Sequence, residues 1–475
     1  MRTVNALLSN SQILDTRFRS ALARMGEAGR VTTYGRSVDP KFEVAALMKR
    51  LDGGPALFFP DVKGYTVPVI GNFLCCKENC EAAFGLRYDE IRRRISQALG
   101  VPQEPVLVDR APAQEVVKTS GFDLRQLFPV LEHASGDAGR FITAGVVIVR
   151  DPETQVYNAS YHRLQLLGPN RTGIKLDYGR HLRLAVERAR QRKENLPIVV
   201  CIGTDIAVQY AAGTMGSQMP ENANELAVAG GLAGHPIEVV KARTQDLVYP
   251  AHSEIVLEGV IRTDITEREG PFGEFVGFAA PEDDAPVIEV TAVSHRERPI
   301  YHAMNGYGRE SVMLRKYVLE ASLLKVLQTA VPIVTDVEMT AGGLHRFHAV
   351  VQVKKTSPQH DGLQRNAMLA SFGALKDLDM VITVDDDIDL QNPEDVEYAL
   401  ATRFEASRDV VIVPGARGHE YVRASQNGIR AKFGLDATVP YEERDRFRRI
   451  VFAEVDPDRE AMTTGVASLR PFLDP

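Results

Sequence analysis

The stretch Glu269-Gly-Pro-Phe-Gly-Glu274 constrains this chain more than any other six residues in it. Gly270 and Gly273 tolerate backbone angles that other residues resist, and Pro271 fixes its own, so the segment bends sharply. Such a bend brings the two flanking carboxylates to one wall of a pocket. There, like charge and partial loss of water raise the proton affinity of one acid, which becomes a proton carrier beside an ionised partner. Taken alone, the same six residues also describe a solvated surface turn. Asn158, Arg163, His181 and Glu225, further upstream, favour the pocket.

At 475 residues the chain exceeds one ordinary core and predicts two or three domains of ~150 residues each. A net charge of −7 argues against the positive field that a nucleic-acid-binding surface needs. The basic run from Arg180 to Lys193 is interrupted by glutamate and reads as a solvated helix face. No stretch approaches the ~20 apolar residues that cross a bilayer, and Ala6-Leu7-Leu8 is too short for a signal peptide. The four cysteines, Cys75, Cys76, Cys80 and Cys201, are few for this length. They predict buried structural thiols in a reducing cytoplasm rather than a disulfide framework or a zinc site.

Periodicity places Phe18, Leu22 and Met25 on one face of an opening helix that ends near Gly26, and a second helix at 42–51 stops at Asp52-Gly-Gly-Pro55. Strands at 55–60 and 67–73 and a helix at 88–98 complete an N-terminal α/β domain over 1–105, with Pro102, Pro105 and Pro112 marking a linker. Residues 106–310 are strand-rich. A hairpin pairs 141–149 with 156–167, a helix follows at 178–193, and strands are expected at 197–202, 236–242, 255–261 and 287–294. This mixture predicts an α+β arrangement, as a barrel or a half-open one. Over 311–475 helices and strands alternate again, giving a second α/β domain: a helix at 316–329, strands at 333–339, 348–354 and 380–384, and a helix at 362–372. The last ~35 residues form a partner-contacting or poorly packed tail.

Asn158 and Arg163 lie on the returning strand of the hairpin. Their odd separation sends them to opposite faces unless the strand bulges or a ligand wraps its edge. His181 opens the next helix. Glu225 sits in the first turn of a helix at 222–233, after the loop from Gly213 to Pro220, where unpaired backbone N–H groups suit an anion such as phosphate. An amide oxygen, an imidazole and a carboxylate form a mixed donor set suited to Mn²⁺ or Mg²⁺.

Six ordered patches make the chain resemble the UbiD family of reversible decarboxylases that use prenylated FMN. They are N-x-x-x-x-R from Asn158 to Arg163, His181, P-x-x-x-x-E-x-A-x-A-G from Pro220 to Gly230, S-E-I-V-L-E-G from Ser253 to Gly259, E-G-P-F-G-E at 269–274, and V-D-D-D-I-D from Val384 to Asp389. The resemblance implies a split-barrel cofactor domain between an N-terminal α/β domain and a C-terminal α/β domain used in oligomerisation. It implies that Asn158, His181 and Glu225 hold Mn²⁺, which anchors the flavin phosphate, with K⁺ beside it on the loop before Glu225. It further implies that Ser160, Tyr161, Arg163, Arg180, Met219 and Pro220 border the cofactor, and that Arg163, Glu269 and Glu274 form the catalytic network.

The expected reaction is reversible, non-oxidative decarboxylation of a small aromatic or heteroaromatic acid (indole-, pyrrole-, furan- or hydroxybenzoate-type) through a covalent substrate–prenylated-FMN adduct. Glu274 is the expected proton donor. A flavin prenyltransferase would supply the cofactor, and a homodimer or larger homo-oligomer is expected. In one departure, Asp379 stands where many relatives carry a Lys near the phosphate; Lys376 or Lys175 is the candidate replacement. The run Asp385 to Asp389 reads as a cap and turn rather than a metal site. The segment His302 to Arg309 offers polar contacts to a ring or a plain connection. Two alternatives remain: an FMN-dependent oxidoreductase on a split barrel, for which no G-x-G-x-x-G of correct spacing exists, and a non-catalytic assembly protein, against which Arg163, Glu269 and Glu274 speak.

Overall fold

The computed structural model describes residues 13–177, 181–213, 219–220 and 222–450. Phe18, Ala21 and Met25 form the buried stripe of the helix Phe18–Glu27, and Val44, Ala45 and Met48 that of Glu43–Arg50, the spacing of helices buried along one side. They accompany a sheet of Val31–Thr33, Ala56–Phe59, Val69–Gly71 and, from far along the chain, Tyr301–His302. The helix Tyr88–Ala98 has the expected bounds. The helix Lys77–Phe84 lies outside the expected elements, because Lys77, Glu78 and Glu81 break up its apolar stripe. Phe18 and Phe73 share one apolar cluster with Val146 and Val199 of the central sheet, so this first unit and the sheet pack without a gap.

Among the described residues the central sheet runs in the order Phe141–Ile142, Leu164–Leu166, Arg171–Ile174, Asp283–His295, Ile255–Glu269, Leu196–Ile202, Gly145–Arg150, Tyr157–Tyr161, with Val116–Lys118 paired off this path. All these pairs are antiparallel. Each half of the expected hairpin is split in two. Tyr157–Tyr161 and Leu164–Leu166 lie toward opposite ends of the order with only His162 and Arg163 between them. Neighbouring strands stand about 4.8 Å apart and a residue spans at most ~3.6 Å, so two residues cannot bridge a flat sheet of that width. The sheet therefore curls until its ends approach each other at Arg163. Thr143 and Ala144, between Phe141–Ile142 and Gly145–Arg150, cross the same seam. No hydrogen-bonded pair closes the sheet among the described residues: the fold is mixed α/β and multidomain, with an open, curled sheet where a barrel or a half-open one was expected.

The C-terminal sheet is ordered Val334–Met339, His348–Val353, Met380–Asp385, Ile429–Ala437, Val410–Arg417, parallel across its middle three strands. Its last two strands and the helix Pro393–Arg403 were not among the expected elements. Val410–Arg417 is exposed along much of its length and carries Pro and Gly near a register shift, which hides its period. Asp385 and Asp387 are both held by Arg403, and Asp389 accepts from the Gln391 N–H at 2.9 Å, so the acidic run turns the chain. Of the expected tail, residues 451–475 lie outside the described residues. All four cysteines are free and buried. Among the described residues, no helix is long and apolar enough to cross a membrane.

Candidate active site

Glu269 is the final residue of the strand Ile255–Glu269. The strand runs beyond its expected end at 261 because Arg262 to Arg268 leave the core with one face to water. Gly270 follows at φ +84°, a left-handed angle that costs glycine little, and a cis peptide joins it to Pro271. The two-residue strand Phe272–Gly273 pairs with Ala279–Ala280 and delivers Glu274. The bend is braced from outside: the Gly270 N–H donates to Gln165 Oε1 at 2.8 Å, and the Gly273 N–H to Asp137 Oδ1 at 2.9 Å.

Arg163, at the seam, meets both acids. Its Nε and Nη2 donate to the two oxygens of Glu269 at 2.8 and 2.7 Å, and its Nη1 donates to Glu274 Oε1. Glu269 is fully buried, while Glu274 keeps 17% of its side chain exposed. The difference decides their chemistry. Glu269 is locked in a bidentate pair, whereas Glu274 is bonded to Arg163 through one oxygen and lines a cleft of about 160 Å³. Burial raises the Glu274 proton affinity above the ordinary carboxylate range, against the pull of Arg163 and with the help of nearby Asp177. The Arg163 guanidinium, disfavoured by burial, is held charged by its bond to Glu269 and by the charge of Glu274.

The parity problem posed by Asn158 and Arg163 disappears because regular strand ends at Tyr161. Asn158 Nδ2 donates to Glu225 Oε1 at 2.9 Å, the Ala159 N–H donates to Glu225 Oε2 at 3.2 Å, and His181 Nδ1 lies 3.9 Å from Glu225 Oε1. Glu225 opens the helix Glu225–Ala233, with Asn224 as its cap, and is buried; burial raises its proton affinity, partly offset by His181. A void of about 10 Å³ adjoins Asn158 and His181. Ser160 links the two groups: its hydroxyl donates to Asn158 Oδ1 at 3.2 Å, and it borders the cleft together with Tyr161 and Arg163.

The other expected positions divide. Met219 is buried in the core and Pro220 is exposed. Arg180 and residues 214–218 of the loop expected to bear K⁺ lie outside the described residues. Asp379 is buried and paired with Arg430 at 3.0 Å. Lys376 is exposed and paired with Asp377, whereas Lys175 borders the cleft and donates to Asp283 at 2.8 Å. His302 is buried against Glu310 at 2.8 Å, but Met304, Asn305 and Gly306 reach the cleft wall. Asp177, Arg315 and Tyr421 also line it, with the Tyr421 hydroxyl donating to Asp177 Oδ1 at 2.9 Å. No motif marks those three residues, and only the fold brings them together.

Gly306 sits where a Cβ would come within 2.1 Å of the Gly273 carbonyl oxygen and 2.6 Å of the Phe272 ring. Gly306→Ala is therefore expected to displace the segment carrying Glu274. It should cost about 1–3 kcal/mol of stability, read by denaturant unfolding, together with most of the turnover. An alanine variant as stable and active as the parent would show that the close approach is not needed.

Sequence comparison matches residues 22–101, 106–308 and 312–437 to the N-terminal, Rift-related and C-terminal domains of 3-octaprenyl-4-hydroxybenzoate carboxy-lyase. The chain belongs to the UbiD family. Like its relatives, this UbiD protein is a carboxy-lyase. It is 33% identical to the anhydromevalonate phosphate decarboxylase of Methanothermobacter thermautotrophicus, over 92% of this chain and 100% of that one. It is 30% identical to the gallate decarboxylase of Lactiplantibacillus plantarum, over 88% and 93%. Its fold superposes on the UbiD-class enzyme HmfF from Pelotomaculum thermopropionicum in complex with FMN with a TM-score of 0.88, at 38% identity, over 92% of this chain and 97% of that one. An evolved dimeric form of HmfF has been solved with prFMN.

Proposed function

We propose that this UbiD protein reversibly decarboxylates a small aromatic or heteroaromatic acid, of the indole-, pyrrole-, furan- or hydroxybenzoate type, using bound prenylated FMN. The reading is carried by one observation: a buried guanidinium shared between two acids of unequal exposure on the wall of a cleft. Phe272, Phe275, Met304 and Leu314 give that wall an apolar surface for a flat ring. The gallate decarboxylase among its relatives acts on an aromatic acid. The oxidoreductase alternative is not favoured, since the named relatives are decarboxylases.

The donor set fits a divalent cation. Glu225 is a buried carboxylate whose neighbours are an amide, a backbone N–H and an imidazole, so Mn²⁺ would take up charge that now stands largely uncompensated. Turning over the Asn158 amide would present its oxygen beside Glu225 and His181. Among the described residues no group of three or more His, Cys, Asp or Glu is gathered, which accords with a set whose third member is Asn158. In this reading Asn158, His181 and Glu225 would hold Mn²⁺, which together with K⁺ would supply positive charge to the flavin phosphate. Lys175 on the cleft wall supplies the positive charge that Asp379 cannot, and the C-terminal unit serves oligomerisation. When bound, the prenylated flavin supplies an electrophilic carbon that accepts the electrons left behind by the departing carboxylate.

The protein's own groups do the rest. Arg163 holds Glu269 in place through two bonds, and orients the substrate carboxylate with its remaining N–H groups. Glu274, whose proton affinity burial raises, delivers a proton to the ring carbon vacated by CO₂, and in the carboxylation direction removes it again. The apolar wall keeps water from competing for that carbon.

Coexpression with a flavin prenyltransferase tests the reading. Purified protein should carry the mass and visible spectrum of prenylated FMN, and should release CO₂ from at least one acid in an aromatic panel. Plain FMN with turnover of reduced nicotinamide would replace it with the oxidoreductase.

A further inference from the structure

Glu274 is flanked by two aromatic anchors seated in different parts of the fold. Phe272 belongs to the central sheet: its ring lies 4.4 Å from Phe141 and 5.5 Å, edge-on, from His133. Phe275 points the other way, into a socket built by the C-terminal unit. Its ring stacks on Phe347 at 6.1 Å, meets His419 edge-on at 5.7 Å and Tyr421 at 6.3 Å, and lies under the Arg346 guanidinium at 5.1 Å. Arg346 is itself fixed by Asp377, through bonds of 2.9 and 2.6 Å.

The turn that carries both rings is tight. The Glu274 N–H donates to the Phe278 carbonyl and the Gly277 N–H to the Glu274 carbonyl, each at 2.9 Å. Phe278, at the end of the turn, sits under Arg423 at 4.3 Å, on the same C-terminal segment as His419 and Tyr421. The backbone at Glu274 therefore cannot move relative to Arg163 without dragging Phe275 from its socket, or shift with the C-terminal unit without drawing the carboxyl away from Arg163. An offset of about 1 Å in a reacting group can cost ~10²-fold in rate.

We propose that Phe275 is the positioning residue for Glu274: its seat in the socket formed by Phe347, Arg346, His419 and Tyr421 sets the distance of the acid from Arg163 and from the substrate. This rests on Glu274 being the proton donor. The groups facing the Glu274 carboxyl are Arg163, Glu269, Asp177, Arg315 and the Tyr421 hydroxyl. Emptying the socket admits water among them and shifts the carboxyl relative to Arg163; relief of burial, the larger influence on Glu274, outweighs any loss of the opposing pull of Arg163, so its placement changes and its proton affinity falls.

The test compares Phe275→Ala, Phe275→Leu and Phe347→Ala. Phe347 does not border the cleft, so its variant separates positioning from direct contact with substrate. In the flavin-loaded enzyme Phe275→Ala should lower kcat about 10²-fold, the cost of an ångström-scale displacement, with KM within about threefold and flavin retained. Phe275→Leu should fall between Phe275→Ala and the parent, and Phe347→Ala should lower kcat by about tenfold. In the flavin-free full chain, infrared titration of the Glu274 carboxyl, assigned by its loss in Glu274→Gln, should move toward the ordinary carboxylate range in Phe275→Ala.

Turnover within threefold of the parent, a change confined to KM, or an unmoved Glu274 titration would each overturn the proposal. A parent enzyme inactive on every acid of the panel would count against the aromatic-acid reading, and the carboxyl titration would still decide this one. If Phe275→Ala fails to fold, Phe275→Leu and Phe347→Ala carry the same comparison.

Discussion

Glu274→Gln is expected to leave a folded, flavin-loaded protein that releases CO₂ roughly 10²–10⁴-fold more slowly than the parent, the range that a general acid contributes. The amide keeps the size of the carboxyl, and its oxygen still accepts from Arg163 Nη1, so little stability is at stake. What is lost is the proton. H/D exchange of the decarboxylated product, at the carbon that lost CO₂, should fall with CO₂ release, because both need the same proton carrier.

The parent should also show a pH limb that the variant lacks. Burial raises the Glu274 proton affinity, so the donor form persists above the ordinary carboxylate range, and activity declines as pH rises through the raised value. The sign is the same for stability. Whatever burial of the neutral acid contributes is complete below the unfolded-state value and is lost as pH rises through the folded one. A Gln variant with parental turnover and the same alkaline limb would remove Glu274 from this role and leave Glu269, locked by two bonds, as an unpromising substitute.

Glu225→Gln is the second large effect. Gln retains an acceptor for the Asn158 amide or the Ala159 N–H, which Ala would leave unpaired at about 1–3 kcal/mol each. It removes only the negative charge. Groups that merely support a metal ligand are worth about 10–100-fold in metal affinity, and loss of the one carboxylate in the set should cost at least as much. The variant is expected to purify with less than about a tenth of the parental Mn²⁺ and flavin. His181→Ala should behave alike. Metal analysis and the visible spectrum of the purified proteins decide it: full metal and full colour in either variant would show that the cation sits elsewhere.

Helices with a clean apolar stripe were legible in the sequence, Tyr88–Ala98 to the residue, because three- and four-residue spacing is a local property. The strand Ile255–Glu269 was legible only over its buried first half. Its second half, Arg262 to Glu269, rises out of the core, and charged residues on an exposed strand end look like a loop. The short strands on either side of His162 and Arg163 were read as one, since nothing local distinguishes a strand that ends from one that continues. Yet that break lets Arg163 reach the cleft while Asn158, on the opposite face of any regular strand, borders the void beside Glu225 and His181, with Ser160 linking the two.

By itself the sequence determined which groups are available and in what order along the chain: an amide, a guanidinium, an imidazole, a carboxylate at a helix start, and two acids held apart by a Gly-Pro bend. These are properties of side chains and of backbone angles within a few residues. Tertiary structure alone decided that Arg163 reaches acids 106 and 111 positions away, that one acid is locked while its partner faces a cleft, and that Asp177, Phe275 and Tyr421 stand beside them. Partner and solvent access are set by what folds against a residue, and no local spacing encodes the curl that brings the two ends of a sheet together at one arginine.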